Sequence, residues 1–105
     1  MTKIKKYVDN IEEELHDAKE YMEKALEYKA MGANSPENAE RYNIYKNMSI
    51  QELEHGNHIH QFAVQDIEKL KAVYPDIPSD MMEKWEKAHK AFIEKAAWIK
   101  QMQSM

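Results

Sequence analysis

The segment IQELEHGNHIH, residues 50–60, has the spacing of an amphipathic helix but carries Glu52 and His55 one turn apart in a stripe that should be apolar. A three-four alternation of side chains keeps one face of a helix against its neighbour. The stripe through this segment is Tyr45, Met48, Glu52, His55, Ile59 and Phe62, and it then moves to Ala63, Ile67, Leu70 and Val73. Two adjacent polar residues in such a stripe indicate a buried polar network or a binding site.

Two stretches of turn-forming residues bound the helix that contains this segment. They are MGANSPENAE at 31–40 and VYPDIPSD at 73–80, which includes Pro75. Ser35 before Pro36 has the pattern of an N-cap followed by proline in the first turn, and Ser79-Asp80 after Pro78 repeats it. We therefore predict an all-α fold in one domain, 1–105, with helices at about 3–30, 36–73 and 79–103.

Composition narrows the possible functions. The chain has 105 residues, a net charge of −4, two glycines, three prolines and no cysteine. Acidic and basic residues are interleaved, which disfavours nucleic-acid binding, and no thiolate is available as a metal ligand or nucleophile. The first ten residues, MTKIKKYVDN, are charged and no apolar run is long enough to span a membrane, so we expect a soluble, cytoplasmic protein. A chain this short buries a thin core, which favours a homo-oligomer.

The other two helices have similar stripes, each with one polar intrusion. In the first helix the intruding residue is Glu14, and in the third it is His89. The first stripe is Ile4, Tyr7, Ile11, Glu14, Ala18, Tyr21, Ala25 and Tyr28. The third is Met82, Trp85, His89, Phe92, Ala96 and Ile99. We predict that the aromatic residues of these stripes pack in the core.

Glu14 and Glu52 should lie side by side. They are equally far, in residues, from a hairpin turn centred near residue 33, and His55 is within one turn of that level. Burying unpaired carboxylates costs several kcal/mol, so such a cluster needs protons, a hydrogen-bond network or a cation. Glu14, Glu52 and His55 are therefore candidate metal ligands, and a metal-free hydrogen-bonded triad is the alternative.

Four other residues are candidates for a supporting role around this cluster. Asp17 could orient His55 or a bound water, since a metal-bound histidine usually donates its second N–H to an acceptor, or it could be a surface charge. His58, one turn beyond His55, could lie just outside the ligands. His89 is about 12 Å off level with His55 by helical rise, which favours a core or interface role for it. His16 and His60 point away from the stripes and should be solvated. The fourth candidate, Tyr21, follows from a resemblance.

Two motifs resemble those of ferritin-like and rubrerythrin-like proteins. ELHDAKEY, residues 14–21, is similar to their first-helix pattern, and SIQELEHGNHIH, residues 49–60, is similar to their second-helix Glu-x-x-His. The resemblance implies that Glu14 and His55 are terminal ligands, that Glu52 bridges two metal ions, and that Tyr21 lies beside them. It also implies a di-iron centre, with Mn or Zn as alternatives, and an oxidase or ferroxidase-like activity.

The chain also departs from that family. It supplies one ligand set where full ferritin-like domains supply two, so the resemblance implies a half-bundle completed by homodimerisation, as in half-length encapsulated ferritins. The third helix, WEKAHKAFIEKAAWIKQMQ at 85–103, has no counterpart there. The whole chain resembles small ferritin-like proteins of phages and prophages.

The third helix suggests a second functional hypothesis. A non-catalytic phage-type accessory protein would keep the helical scaffold and bind another protein. Tryptophan and methionine are enriched in protein interfaces, and Met81, Met82, Trp85 and Trp98 would serve that purpose.

Overall fold

A computed structural model describes residues 2–32, 34–74, 76 and 78–105 and shows an all-α chain. Its helices are α1 (Thr2–Ala30), α2 (Pro36–Val73) and α3 (Ser79–Gln103). These bounds lie within one residue of the predicted ones. The predicted hairpin centre at residue 33 and the predicted turn residue Pro75 lie outside the described residues.

The two later helices begin differently. At α2 the predicted cap is confirmed, since the Ser35 side chain accepts a hydrogen bond from the Asn38 backbone N–H at 3.4 Å and Pro36 follows in the first turn. The expected cap of α3 is wrong: Ser79 is already helical, and Pro78 occupies the N-cap position without a side-chain bond. Asp80 still places a negative charge in the first turn, where the helix dipole favours it.

Long-range contacts define how the three helices run. Tyr7 of α1 donates a hydrogen bond to Asp66 of α2, and Ser49 of α2 donates one to the Ala18 carbonyl, so α1 and α2 form an antiparallel hairpin. α3 returns antiparallel to α2. His60, the later of two α2 residues, contacts His89 in the first half of α3, and the earlier one, Ser49, contacts Gln103 at the end of α3. α3 therefore runs parallel to α1.

The core lies along the groove where α3 packs against the hairpin. Buried side chains from all three helices form it: Ile4, Ile11, Leu15, Ala18, Leu53, Ala63, Ile67, Trp85, Phe92 and Ile99. Ser49 is buried with them, and its hydroxyl donates to the Ala18 carbonyl at 2.6 Å and accepts from Gln103 Nε2 at 3.0 Å. This one hydroxyl links the three helices.

The predicted interior stripe of α2 is wrong by one position in its first part and is confirmed at Ala63 and Ile67. The buried residues are Ser49, Leu53, Gly56, Ala63 and Ile67, whereas each of the predicted residues Met48, Glu52, His55 and Phe62 immediately precedes one of these. Phe62 is 55% exposed and Val73 is 67% exposed. Because α3 packs on one side of the hairpin, the buried face of α2 is rotated toward that side.

The molecule is elongated. Its radius of gyration is 17.1 Å, and its extents along the three principal axes are 59 × 19 × 16 Å. A compact chain of similar length has a radius of gyration of about 13 Å. Helical periodicity places a second side of the hairpin away from α3, and we call it the open face. By helical position its residues are Glu14, Tyr21, Tyr28, Tyr45, Met48, Glu52, His55 and Phe62. Among the described residues, no helix is both long and apolar enough to cross a bilayer.

Candidate metal centre

Glu14 of α1 and the pair Glu52 and His55 of α2 form one cluster on the open face. A carboxylate oxygen of each glutamate and a ring nitrogen of the histidine all lie within 4.8 Å of one another. Two features of the chain bring them together. The antiparallel register sets Glu14 level with Glu52, and the one-turn spacing on α2 sets His55 on the same side as Glu52. We call these three residues the Glu–Glu–His cluster.

Glu14 is the buried member of the cluster. Its side chain is 23% exposed, and its Oε2 atom is fully buried without a hydrogen-bond partner. The nearest basic atom in an ion pair with it, His55 Nδ1, is 3.8 Å away, which is too long for a hydrogen bond. A buried acceptor with no donor is rare in folded proteins and marks a place where a proton, water or cation belongs.

The electrostatics of the cluster act most strongly on Glu14. Interaction with the neighbouring Glu52 carboxyl is the largest cause that raises the pKa of Glu14 from 4.5 to about 7, and burial adds to this effect. Asp17 and Glu13 contribute smaller repulsions in the same direction. Glu14 therefore keeps its proton at a higher pH than an ordinary glutamate does.

His55 differs from its expected environment. Its position in the predicted interior stripe predicts a buried ring, but the His55 side chain is 60% exposed. The interior position of that turn is occupied by Gly56 instead. The Glu–Glu–His cluster is thus closed by Glu14 on the inside and open to solvent at His55.

The four candidate supporting residues are placed as follows. Asp17 is half-buried and acts on Glu14 through its charge, as described above. Tyr21 packs against Tyr45, with ring centroids 6.3 Å apart, about 10 Å along α1 from Glu14 at the usual helical rise. His58 is exposed on α2. His89 hydrogen-bonds to His60 and is not a member of the cluster.

Two contacts of the described structure were missed by the sequence analysis. His60, expected in solvent, is half-buried against Phe92, with ring centroids 4.3 Å apart. Ser49 was not singled out, although its hydroxyl joins three helices. Both follow from the one-position rotation of α2, because His60 and Ser49 share the face of Gly56 and Ala63. The sequence signal for this face was the series of small residues Ser49, Gly56 and Ala63, which runs beside the predicted apolar stripe.

The donor set suits a divalent cation of hard or borderline character. Carboxylate oxygens with one imidazole nitrogen fit Mn²⁺, Fe²⁺ and Zn²⁺, and the unpaired Glu14 Oε2 provides a buried oxygen that a cation would satisfy. A cluster of three leaves coordination positions open for water or for ligands from another chain. No family model, curated protein or solved structure matches this chain.

Proposed function

We propose that this protein binds a divalent metal ion through Glu14, Glu52 and His55. The observation that carries the proposal is the buried, unpartnered Oε2 of Glu14 beside a second carboxyl group. A structural salt bridge would pair this oxygen with a donor at hydrogen-bond distance, whereas the nearest ion-pair partner is 3.8 Å away. A cation would take the place of the proton on Glu14 and contact both carboxylates at once.

We further propose that a second copy of the chain completes the centre. Each chain supplies three ligands and leaves His55 exposed on the open face, where Phe62 is 55% exposed. In a two-fold dimer the same surface of both chains would meet, and each residue would contact its counterpart's neighbours. Doubling two glutamates and one histidine would give four carboxylates and two imidazoles, a set typical of dimetal centres in helical bundles.

Iron is the metal that the sequence resemblance implies, with Mn or Zn as alternatives. Bound iron or manganese would supply redox chemistry with oxygen or peroxide, and zinc would not. An oxidase or ferroxidase-like activity is therefore part of the proposal. The contribution of the chain is to hold the Glu14 and Glu52 carboxylates together and to keep His55 accessible from solvent.

Metal titration tests the proposal directly. Protein freed of metal by a chelator should bind Mn²⁺ in a calorimeter, and Glu52→Gln should lose that binding because the amide removes one charged ligand. Glu54→Gln is the matched control, since Glu54 is exposed on the same helix, outside the cluster. Equal binding by the wild type and Glu52→Gln would reject the site.

Oligomeric state tests the second part. We expect light scattering to give a dimer, and we expect Phe62→Glu to weaken it because two charges would meet across the open face. Gln61→Glu adds the same charge at the neighbouring exposed position and serves as the control. A strict monomer that still binds metal would reject the dimer and leave the metal site standing.

The accessory-protein alternative now depends on fewer residues. Trp98 is 49% exposed, which favours it, but Trp85 is only 6% exposed and belongs to the core. Ile93 is also exposed, although it lies about 140° around α3 from Trp98 at roughly 100° per residue, so the two do not form one patch. Absence of metal binding in the titration above, with the helices intact, would favour this alternative.

A further inference from the structure

A second pair of titratable residues, outside the Glu–Glu–His cluster, joins α2 to α3. His60 Nε2 lies 2.7 Å from His89 Nδ1, a hydrogen-bond distance between two imidazole rings. The ring centroids are 4.8 Å apart and the ring planes differ by 15°, so the two rings meet edge to edge in nearly parallel planes. A bond this short requires one nitrogen to carry a hydrogen and the other to present a lone pair.

Aromatic residues of α3 enclose the pair. His60 stacks on Phe92 with centroids 4.3 Å apart and on Trp85 with centroids 6.0 Å apart, and both of these α3 residues are buried. His60 is thus one of the α2 residues that contact the apolar side of α3. Loss of the His60 ring from this stack would remove part of the cover of Trp85 and Phe92.

Protons act on this contact in two steps. A neutral pair shares one hydrogen, and a singly protonated pair can still donate one N–H to the remaining lone pair. A doubly protonated pair has no lone pair left, so two N–H groups and two positive charges face each other at the same point. Burial lowers the pKa of His60, and the charge of His89 lowers it further.

The surrounding charges do not compensate a doubly protonated pair. A groove of about 590 Å³ between α2 and α3 is lined by Glu68 and Lys71 of α2, and its α3 side carries Glu83, Glu86, Lys87, His89 and Lys90. Acidic and basic groups balance there, apart from the histidine itself. On the α1 side, Lys5, Asp9 and Glu12 line a different groove, between α1 and α3.

We propose that His60 and His89 form an acid-sensitive latch that holds α3 against α2 at neutral pH and releases it when both rings are protonated. The direction of the pH dependence follows from the lowered pKa of His60. Its pKa in the latched state is below the ordinary value of 6.5, so the released state binds more protons. The latch is complete above about pH 6.5 and weakens as the pH falls below that value.

Tryptophan fluorescence reports the latch. A Trp98→Phe variant leaves Trp85 as the single tryptophan, stacked on His60. Between about pH 8 and pH 5, we expect its emission to shift to the red as Trp85 meets water, while the helical circular dichroism changes much less. Adding His60→Phe keeps an aromatic ring in the stack without a titrating group, and should abolish the shift or lower its midpoint by at least about one pH unit.

A second variant and a control keep the test decisive. His89→Gln removes the other titrating ring and should have the same effect, so it decides the matter if His60→Phe fails to fold. His16→Gln is the control, because His16 is exposed on α1 and pairs with Glu20 of the same helix. A wild-type emission that stays constant over this pH range, or a midpoint unchanged in the folded variants, would overturn the latch.

Discussion

Gly56 of α2 lies directly against Glu14 of α1. A Cβ atom added to Gly56 would lie 3.6 Å from Glu14 Cβ and 3.7 Å from Phe92 Cε2, both ordinary packing distances. The candidate metal centre therefore begins at a tightly packed point of the hairpin, which explains why Glu14 is largely buried although it lies on the open face. The same glycine separates the centre from the aromatic core under α3.

Gly56→Ala should stabilise the protein. The added methyl group fits its surroundings, and alanine in a helix interior is favoured over glycine by about 0.5–1 kcal/mol. Urea unfolding should show a rise of that size in the free energy of unfolding. Gly32→Ala is the contrasting control and should destabilise, because Gly32 has a φ of 116° that alanine rarely adopts. A loss of stability in Gly56→Ala would mean that α1 and α2 are closer than described.

Glu14→Gln should stabilise the metal-free protein at alkaline pH. The folded pKa of Glu14, about 7, is above its ordinary value of 4.5. The favourable contribution of the protonated form is complete below about pH 4.5 and is lost as the pH rises through about 7. At about pH 8 we expect a gain on the order of 1–2 kcal/mol, discounted for partial solvent access. At about pH 5 the two proteins should unfold alike, and an equal effect at both pH values would contradict the carboxyl pair.

Metal affinity should increase with pH, whereas the favourable contribution of protonated Glu14 to stability decreases with pH. A cation must displace the proton held by Glu14, so the dissociation constant should rise by up to about tenfold per pH unit below about 7. Calorimetry in two buffers of different ionisation enthalpy should detect the released proton. Binding that neither releases protons nor weakens in acid would place the metal elsewhere.

Ser49→Ala should destabilise by about 1–2 kcal/mol. The change deletes a buried hydroxyl and leaves the Ala18 carbonyl and the Gln103 amide without their partner. Ser104→Ala removes an exposed hydroxyl bonded within one turn, to Gln101, and should cost less than about 0.5 kcal/mol. Thermal unfolding of the two variants measures the difference. Equal, small effects would show that Ser49 does not join the helices.

The sequence predicted those features that depend on local signals. Ser35 and Pro36 begin α2 because capping is decided within one turn. The closeness of Glu14 and Glu52 followed from counting residues on either side of a short turn, since antiparallel helices of equal rise stay level. These two inferences needed no knowledge of α3.

The buried face of α2 could not be predicted in the same way. Two stripes run side by side on this helix, one through Met48, Glu52 and His55 and the other through Ser49, Leu53 and Gly56. The first is richer in large side chains, which predicts that it is buried, but the second faces the interior. Packing of α3, a helix distant in sequence, determines which stripe is buried, because its aromatic residues pack over small residues of α2. His60 was misplaced for the same reason.

Anomalous diffraction from crystals grown with Mn²⁺ tests the proposed metal site most directly. We expect a peak bounded by Glu14, Glu52 and His55, absent in Glu52→Gln crystals, and a second copy of the chain contributing the same three residues across a two-fold axis. Crystals in which Mn²⁺ binds only at other carboxylates, while Glu14 keeps its proton beside Glu52, would contradict metal binding at the cluster.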